Sequence, residues 1–243
     1  MTAAPLLEAR RVTKRFGGFV ALDGVDLSVA AGERVGLIGP NGSGKSTLVN
    51  CIAGTVRGGG TIRFEGRDLG ALPPHRRIRL GIARSFQIPR PFASMTVADN
   101  VRVPLLFAAH GRAARGVPEV SGEARALLAQ VGLAEKADRL SGELTQVDLR
   151  KLELARAIAS RPKLLIADEA MAGLSAAEVD EILAILLEMK PRGIAVVMIE
   201  HIMRAVVRFS ERIAVLVAGR KVADGPPDAV LRDPEVERAY LGE

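Results

Sequence analysis

The sequence contains very few aromatic residues and a single cysteine. Aromatic side chains make up 3% of its 243 residues, with no Trp and one Tyr, Tyr240. Proteins that bind single-stranded nucleic acid stack the bases on aromatic rings, so this composition argues against that class. Because Cys51 is alone, no intrachain disulfide can form, and this fits a reducing compartment.

Long hydrophobic runs are also lacking. The first residues, MTAAPLLEARRVTKRF, contain no apolar run of signal-peptide length before their charges. The longest aliphatic runs, such as Ile194–Ile199 and Ile213–Ala218, are too short to cross a bilayer. We therefore expect a soluble or peripheral protein. Its 48% hydrophobic content excludes a disordered chain.

The charge of the chain is positive. Lys and Arg number 34 against 28 Asp and Glu, which gives a net charge of +6 and a sequence pI near 10.0. Such a balance suits an anionic partner, which can be a nucleic acid, a nucleotide or the cytoplasmic leaflet of a membrane. Composition does not choose among the three.

Apolar periodicity predicts strands that alternate with helices. Residues 6–30 alternate between apolar and polar and predict antiparallel strands. Short apolar runs predict further strands at 33–38, 61–65, 81–86, 163–167, 194–199 and 213–217, and helices are predicted at Ser46–Ala53, Val147–Ala159 and Ala176–Met189. The Ala-, Arg- and Leu-rich segment 97–140 predicts a small helical subdomain. The pattern favours an α/β fold with a mainly parallel sheet.

A glycine-rich loop lies between the strand at 33–38 and the helix that follows. It fits the pattern GxxxxGK[ST] with Gly39, Pro40, Asn41, Gly42, Ser43, Gly44, Lys45 and Ser46. Glycines let backbone N–H groups surround phosphate oxygens, and the helix N-terminus adds positive potential. Lys45 is expected to reach the β- and γ-phosphates, and the Ser46 hydroxyl to bind Mg²⁺. Thr47 follows in the same helical turn. We therefore predict a P-loop that binds a nucleoside triphosphate.

Two acidic residues end the strand that precedes the predicted helix at 176–189. Asp168 and Glu169 follow the apolar run LLIA. In a P-loop protein the aspartate at this position holds Mg²⁺ through water, and the next glutamate can orient or deprotonate the attacking water. A strand that ends in Asp-Glu is by itself usually a solvated strand end. The P-loop makes the catalytic interpretation the better one.

Polar residues end two other predicted strands. Gln87 follows GIARSF, and His201 follows MIE. Each residue alone is most often a surface or packing residue. In a sheet of this class the carboxyl ends of the strands face the ligand crevice, so both are candidates for the site.

The motifs together resemble an ABC transporter ATP-binding subunit, over nearly the whole chain. GIARSFQIPRPFASMTVADNV resembles the glutamine-loop segment of the branched-chain (hydrophobic) amino acid importer family. IEHIM resembles the switch-histidine segment of that family, and DPEVERAYLGE resembles its C-terminal tail. The resemblance implies a P-loop NTPase (RecA-like) core, an antiparallel β subdomain and a small helical subdomain.

The resemblance also implies roles for individual residues. Phe16 would stack on adenine, and Gln87 would link Mg²⁺ to the membrane subunit. Glu169 would be the catalytic base, and His201 would sense the γ-phosphate. For Phe16, ordinary strand packing is the alternative.

The family's signature motif, Leu-Ser-Gly-Gly-Gln, departs from its usual sequence in this chain. The segment Leu140–Leu144 looks similar, but the spacing to Asp168 that is usual in the family favours the register 144–148. That register comprises Leu144, Thr145, Gln146, Val147 and Asp148. Thr145 keeps a hydroxyl, whereas Val147 replaces a glycine that lets the backbone approach a phosphate. Asp148 is expected to cap the following helix and to place a carboxylate near the polyphosphate.

The resemblance implies one ATP-binding domain over residues 1–243. Residues 1–93 and 143–243 would form the core with the β subdomain, and 94–142 the helical subdomain. ATP with Mg²⁺ would be hydrolysed at composite sites between two cassettes, with the second cassette a different subunit or a second copy. Integral-membrane permease subunits, and through them a periplasmic binding protein, would be the other partners, at the cytoplasmic face of the inner membrane. No nucleic-acid partner is expected.

Three alternatives remain at this stage. The first is an ABC exporter subunit of the lipopolysaccharide type. The second is an ABC ATPase that acts on nucleic acid or ribosomes, which would carry long insertions or two cassettes. The third is a P-loop small-molecule kinase, which would need neither the histidine strand end nor the signature helix.

Two further features are expected to be structural. Cys51, in the helix after the P-loop, is predicted to be a small buried apolar residue. The basic stretch His75–Arg79 is predicted to be a solvated face, with contact to anionic lipid as the minority alternative.

Overall fold

The chain forms ten strands and nine α-helices in the residues that the computed structural model describes, 4–86, 88–108 and 117–241. In chain order they are β1 (Leu7–Phe16), β2 (Phe19–Val29), β3 (Arg34–Ile38), α1 (Lys45–Ala53), β4 (Gly59–Phe64), β5 (Arg67–Asp68), α2 (Pro74–Leu80), β6 (Ile82–Ser85), α3 (Val97–Phe107), α4 (Val117–Gln130), α5 (Gln146–Ala159), β7 (Leu164–Asp168), α6 (Ala176–Leu187), β8 (Ala195–Ile199), α7 (Met203–Phe209), β9 (Arg212–Val217), β10 (Arg220–Gly225), α8 (Pro227–Val230) and α9 (Pro234–Leu241). Within the described ranges, no helix combines the length and apolar character that a membrane crossing requires.

The first strands form an antiparallel sheet of four, in the order β2-β1-β4-β5. Buried and exposed side chains alternate over parts of β1 and β2, as expected for a sheet with one covered face. Their buried residues, among them Leu7 and Leu27, share a core with Leu48 and Ile52 of α1. This sheet therefore packs against the helix that follows the P-loop.

The second sheet has six strands in the order β10-β9-β3-β8-β7-β6. Five of its strands run parallel to one another, namely β9, β3, β8, β7 and β6. The remaining strand, β10, pairs antiparallel with β9. Every residue of β7 and β8 is buried, which is typical of parallel strands covered on both faces. Parallel pairing brings the carboxyl ends of β3, β6, β7 and β8 to one edge of the sheet.

The two faces of the parallel sheet bury different cores. Leu165 and Val196 belong to the core that contains residues of α3, α5 and α6. Leu164 and Val197 belong to the core shared with α1 and the antiparallel sheet. The alternation of neighbouring residues between the two cores follows from the two-residue period of a strand.

Helices dominate the segment between β6 and β7. α3 packs against α4 and α5, and Thr96 caps α3 by accepting a hydrogen bond from the Asp99 N–H. Thr96, directly before α3, and Leu140, ahead of α5, form an isolated antiparallel bridge. This arrangement agrees with a helical subdomain, and its division from the core at 94 and 142 stays a prediction.

The basic stretch on α2 is only partly a solvated face. Arg77 is 4% exposed, and its guanidinium donates hydrogen bonds to four backbone carbonyls, at 2.7–2.9 Å. Those carbonyls belong to Cys51, Ile52, Leu69 and Leu72. Sequence reasoning missed this role because one buried residue within a basic run leaves no pattern. Cys51 itself is buried, as predicted, and burial raises the pKa of its thiol.

Candidate active site

The P-loop connects β3 to α1 through a turn that requires glycine. Gly39 has φ 147°, and a Cβ there would lie 2.0 Å from the Leu216 carbonyl oxygen. Gly44 has φ 105°, and a Cβ there would lie 2.5 Å from the Ala21 carbonyl oxygen. By contrast, a Cβ on Gly42 would meet no other atom within 4 Å. One side of the loop is therefore closely packed and the other is open.

Lys45 folds back across the loop. Its Nζ donates hydrogen bonds to the carbonyls of Gly39 at 2.7 Å and Pro40 at 2.9 Å. Burial lowers the pKa of Lys45, while the charges of Glu169 and Asp168 oppose that change. The ammonium group thus lies inside the loop and within the field of both acids.

The N-terminus of α1 carries no competing anion. Its first turn has no acidic side chain, and its N-cap, Gly44, makes no side-chain hydrogen bond. Ser46 is exposed in this turn and Thr47 is partly buried. Backbone N–H groups and the helix dipole at such an end favour a bound phosphate.

The two acids at the end of β7 differ in their surroundings. Asp168 is 5% exposed, and its Oδ2 accepts a hydrogen bond from Arg84 at 2.5 Å. Glu169 adopts the left-handed region with φ 48°, and its N–H donates to the Ile199 carbonyl at 2.9 Å. A non-glycine residue rarely adopts this conformation, and such strain clusters at functional sites.

The parallel pairing brings these groups to one edge. β8 lies between β3 and β7, and its Ile199 pairs with both Leu37 and Asp168. His201, two residues beyond Ile199, is exposed at the same edge. The P-loop, the two acids and His201 therefore follow three neighbouring strands.

Glu200 is a site neighbour that sequence reasoning did not single out. It is 2% exposed, and its Oε1 accepts a hydrogen bond from the Met171 N–H at 2.8 Å. Burial raises the pKa of this carboxyl group. The contact ties the end of β8 to the loop that follows Glu169. The only signal in the sequence was an acid next to the histidine at the end of an apolar strand.

Phe16 ends β1 and is half exposed, at 50%. The Nζ of Lys14 lies 4.9 Å from the centroid of its ring. The exposed part of the ring is available to a planar ligand, and stacking on adenine stays a prediction for Phe16.

Gln87 lies outside the described residues, so its place at the site stays a prediction. Its neighbours Phe86 and Ile88 are both exposed. The segment is held to α5, because Arg156 donates to the Arg90 carbonyl at 2.8 Å. Glu153 of α5 accepts backbone hydrogen bonds from the same segment, and burial raises its pKa against that effect.

An apolar groove of about 420 Å³ opens beside this segment. Phe86, Phe92 and Phe107 line it, and they are 46%, 45% and 73% exposed. Glu153 and Arg156 also line it. The groove therefore combines an apolar surface with a buried charged pair.

The register 144–148 coincides with a helix start. Thr145 is the N-cap of α5, and its hydroxyl accepts a hydrogen bond from the Asp148 N–H. Gln146, Val147 and Asp148 form the first helical turn, and Leu144 packs against the core. In the similar-looking segment 140–144, Ser141 is fully buried and donates to the Phe92 carbonyl at 2.9 Å.

The expectation for Asp148 was wrong in one respect. Asp148 does not cap α5, because Thr145 holds that position. Its carboxylate, 4% exposed, forms an ion pair with Lys136 and accepts a hydrogen bond from the Thr145 hydroxyl at 2.7 Å. Burial alone would raise the pKa of Asp148, but these hydrogen bonds hold it below its ordinary value. The negative charge that we expected near the polyphosphate is thus paired within the chain.

Two family models match the sequence. The model described as "ABC transporter" matches residues 22–172. The model described as "Branched-chain amino acid ATP-binding cassette transporter" matches residues 220–243.

Two relatives with similar sequences are branched-chain amino acid transport ATP-binding proteins. The chain is 37% identical over 255 residues to BraF of Pseudomonas aeruginosa, described as a "High-affinity branched-chain amino acid transport ATP-binding protein". It is 36% identical over 255 residues to LivG of Escherichia coli, which has the same description. Each alignment covers 98% of both chains.

Solved structures show the same fold. The ADP conformation of MJ1267, an ATP-binding cassette of an ABC transporter, superposes with a TM-score of 0.87 at 32% identity. That match covers 99% of this chain and 100% of the other. A dimeric cassette, MJ0796 bound to ADP and Pi, gives a TM-score of 0.82 at 26% identity over 91% of this chain and 98% of the other. With its P-loop and the P-loop NTPase fold, this chain is an ATPase that belongs to the ABC transporter family, in the group of the branched-chain amino acid transport ATP-binding proteins.

Proposed function

We propose that the chain is the ATP-hydrolysing subunit of an importer for branched-chain or related hydrophobic amino acids. The relatives BraF and LivG support this substrate class, as does the family match over residues 220–243. The observation that carries the ATPase mechanism is the edge where the P-loop, Asp168–Glu169 and His201 follow adjacent strands.

Each residue at this edge has a proposed task. The P-loop N–H groups and Lys45 bind the phosphates, and Phe16 stacks on the adenine. Glu169 takes a proton from the water that attacks the γ-phosphorus, and His201 contacts the γ-phosphate. Since the two acids follow the strand next to β8, the water and the phosphate can be reached from adjacent strand ends.

Magnesium fits the oxygen donors at this edge. Mg²⁺ is usually held by one or two protein oxygens together with substrate phosphates and water. Ser46 offers a hydroxyl and Asp168 a carboxylate, and Gln87 is the third proposed ligand. Among the described residues, no cluster of three or more His, Cys, Asp or Glu could hold a metal by itself, which agrees with a site completed by the nucleotide. When bound, Mg²⁺ would neutralise charge on the phosphates.

A second cassette would complete the site. We propose that Leu144–Asp148 faces the partner's nucleotide, as a signature segment. Thr145 donates its hydroxyl hydrogen to Asp148, and Val147 bears a side chain where the family has glycine. These features weaken the binding of this segment to a phosphate of the partner's nucleotide. We therefore propose a dimer with a different cassette, which supplies an intact signature to the P-loop of this chain.

The apolar groove is the proposed docking site for the cytoplasmic loops of the permease subunits. Its exposed rings, Phe86, Phe92 and Phe107, suit an apolar helix or loop from a partner. It adjoins the segment that contains Gln87, which is the proposed link to the metal. The subunit would then lie peripherally at the cytoplasmic face of the inner membrane, and a periplasmic binding protein would deliver the substrate to the permease.

Uptake of radiolabelled leucine, isoleucine and valine tests the proposal. Cells that lack this chain are expected to lose ATP-dependent uptake, and the parent chain is expected to restore it. The Glu169→Gln variant should not restore it, whereas an exposed-site control, Arg76→Gln, should. If uptake of all three amino acids is independent of the chain, the substrate assignment is wrong.

A further inference from the structure

Arg84 of β6 joins two elements of the active site. Its Nη2 lies 2.5 Å from Oδ2 of Asp168, and its Nη1 lies 2.6 Å from Oδ1 of Asn50 on α1. The side chain of Arg84 is 14% exposed and that of Asp168 is 7% exposed. The guanidinium therefore forms a largely buried bridge between the end of β7 and the helix of the P-loop.

Strand register explains how Arg84 reaches Asp168. In the parallel pair of β6 and β7, Arg84 lies opposite Ile166, two residues before Asp168. Residues two apart on a strand project from the same face of the sheet. The side chains of Arg84, Ile166 and Asp168 therefore point to the face that α1 covers. The ring of Phe86 also lies near the guanidinium, 5.6 Å from its carbon to the ring centroid.

We propose that Arg84 is a positioning residue for magnesium that acts through Asp168. The inference rests on the proposed assignment of Asp168 as a residue that holds Mg²⁺ through water. A carboxylate with no partner can turn about its terminal torsion, and a charge-assisted hydrogen bond to one oxygen restrains that rotation. Arg84 holds Oδ2 and is itself held by Asn50, so Oδ1 is presented for the water-mediated contact with the metal. Groups that orient a metal ligand in this way contribute strongly to metal affinity.

The same contacts would also allow Arg84 to compete with the metal for Asp168. The two roles predict opposite changes in metal affinity when Arg84 is removed. If the guanidinium competed with Mg²⁺ for Asp168, its removal would strengthen metal binding. If it positions the carboxylate, its removal weakens metal binding and leaves metal-free nucleotide binding intact. The anchor on Asn50 favours positioning, because a competitor that must leave Asp168 would also have to give up this second hydrogen bond.

The test measures ATP affinity of the full-length chain with Mg²⁺ and with EDTA, in a Glu169→Gln background that prevents turnover. Mn²⁺ binding to the ATP complex, followed by its electron paramagnetic resonance signal, is a second readout. We expect Arg84→Gln to change the ATP affinity measured in EDTA by no more than about twofold. The same variant should weaken Mn²⁺ binding by about tenfold or more. The Mn²⁺ affinity of Arg84→Lys should lie between those of the parent and Arg84→Gln. Lysine keeps the positive charge but lacks the planar guanidinium that reaches both Asp168 and Asn50. Arg76→Gln, an exposed arginine of α2, is the matched control.

Each outcome decides the matter. If the parent background binds ATP no better with Mg²⁺ than with EDTA, the proposed metal site itself fails. If the parent shows the gain, the positioning role is overturned when Arg84→Gln weakens ATP binding equally in both conditions, leaves Mn²⁺ binding unchanged, or strengthens it. If Arg84→Gln does not fold, Arg84→Lys and Asn50→Ala decide: both should reduce the metal-dependent gain, and a full gain in both rejects the inference.

Discussion

At the residue scale, the conformation of Glu169 is an informative local feature. Its backbone is left-handed at φ 48°, and its N–H is bonded to β8. A lone glutamate would not adopt this conformation without support from the surrounding structure. The side chain is therefore placed by tertiary contacts, directly after the buried Asp168.

Replacement of the proposed base gives the first prediction. Glu169→Gln keeps the shape of the side chain but removes the proton acceptor, so ATP should still bind while turnover falls at least about a hundredfold. The measurement is phosphate release by the assembled transporter, with ATP binding determined in parallel. Turnover at the parent rate would show that another group is the base.

The P-loop lysine gives the second prediction. Lys45 already orders the loop through the carbonyls of Gly39 and Pro40, and it is the proposed cationic partner of the phosphates. Lys45→Ala should therefore weaken ATP binding itself, by about tenfold or more, since charge-assisted hydrogen bonds are the strong ones. Equilibrium binding of a fluorescent ATP analogue measures this. Affinity equal to that of the parent would contradict the assignment.

At the scale of elements, α1 is held at both ends. Its N-terminus belongs to the P-loop, and near its C-terminus the carbonyls of Cys51 and Ile52 accept hydrogen bonds from Arg77. Gly54 follows at φ 82°, and a Cβ there would lie 2.6 Å from the Arg77 Nε. The buried arginine of α2 thus replaces the water that would otherwise solvate these carbonyls.

The third prediction concerns this contact. Arg77→Met keeps the apolar stem but leaves several buried carbonyls without a donor, so it should destabilise the fold by about 3 kcal/mol. Thermal unfolding should show a melting temperature lower by roughly 6–12 °C. Arg76→Met, at the exposed neighbouring position, should change little. Equal melting temperatures for the two variants would mean that the four hydrogen bonds contribute nothing net.

The start of α5 gives the fourth prediction. Restoring glycine and glutamine with Val147→Gly and Asp148→Gln should raise the activity of the assembled complex, because it frees Thr145 and opens the backbone to a phosphate. Separate P-loop mutations in the two cassettes should have unequal effects, since each lost oxyanion-type donor costs roughly 3 kcal/mol. If both P-loop mutants lose activity equally and the restored segment changes nothing, Leu144–Asp148 works as it stands.

At the scale of the whole molecule, the proposed catalytic unit is larger than the chain. The P-loop and the segment 144–148 would serve different nucleotides in a dimer, so neither site is complete in one copy. Closure of the two cassettes would then be the step that controls chemistry.

The fifth prediction follows from that arrangement. The isolated chain should hydrolyse ATP slowly, and the partner cassette with its permease should stimulate hydrolysis by about a hundredfold. This is the rate factor expected when hydrogen-bond donors to the phosphate are missing from the site. Phe107→Asp should abolish most of that stimulation by placing a charge in the groove, without affecting ATP binding. Val207→Asp, at an exposed apolar position of α7, is the control. Stimulation that survives Phe107→Asp would place the permease contact elsewhere.

The sequence by itself determined the elements that depend on local patterns. The P-loop followed from glycine and lysine spacing, and the strands that end at Asp168 and Ile199 followed from short apolar runs. Helix ends shifted by only a residue or two: the helix predicted from Ser46 begins at Lys45, and the one predicted from Val147 begins at Gln146. These features are readable because each is encoded by residues that are close in sequence.

Only the tertiary structure decided which charges meet. Arg84 and Asp168 are far apart in sequence, as are Arg77 and Cys51, and strand register and helix packing bring each pair together. The carboxylate of Asp148 looked like a repulsive charge beside a phosphate, yet Lys136 neutralises it. No local pattern encodes these contacts, because a buried charge is stabilised by whatever partner the fold supplies, and that partner is fixed only when the sheets and helices pack.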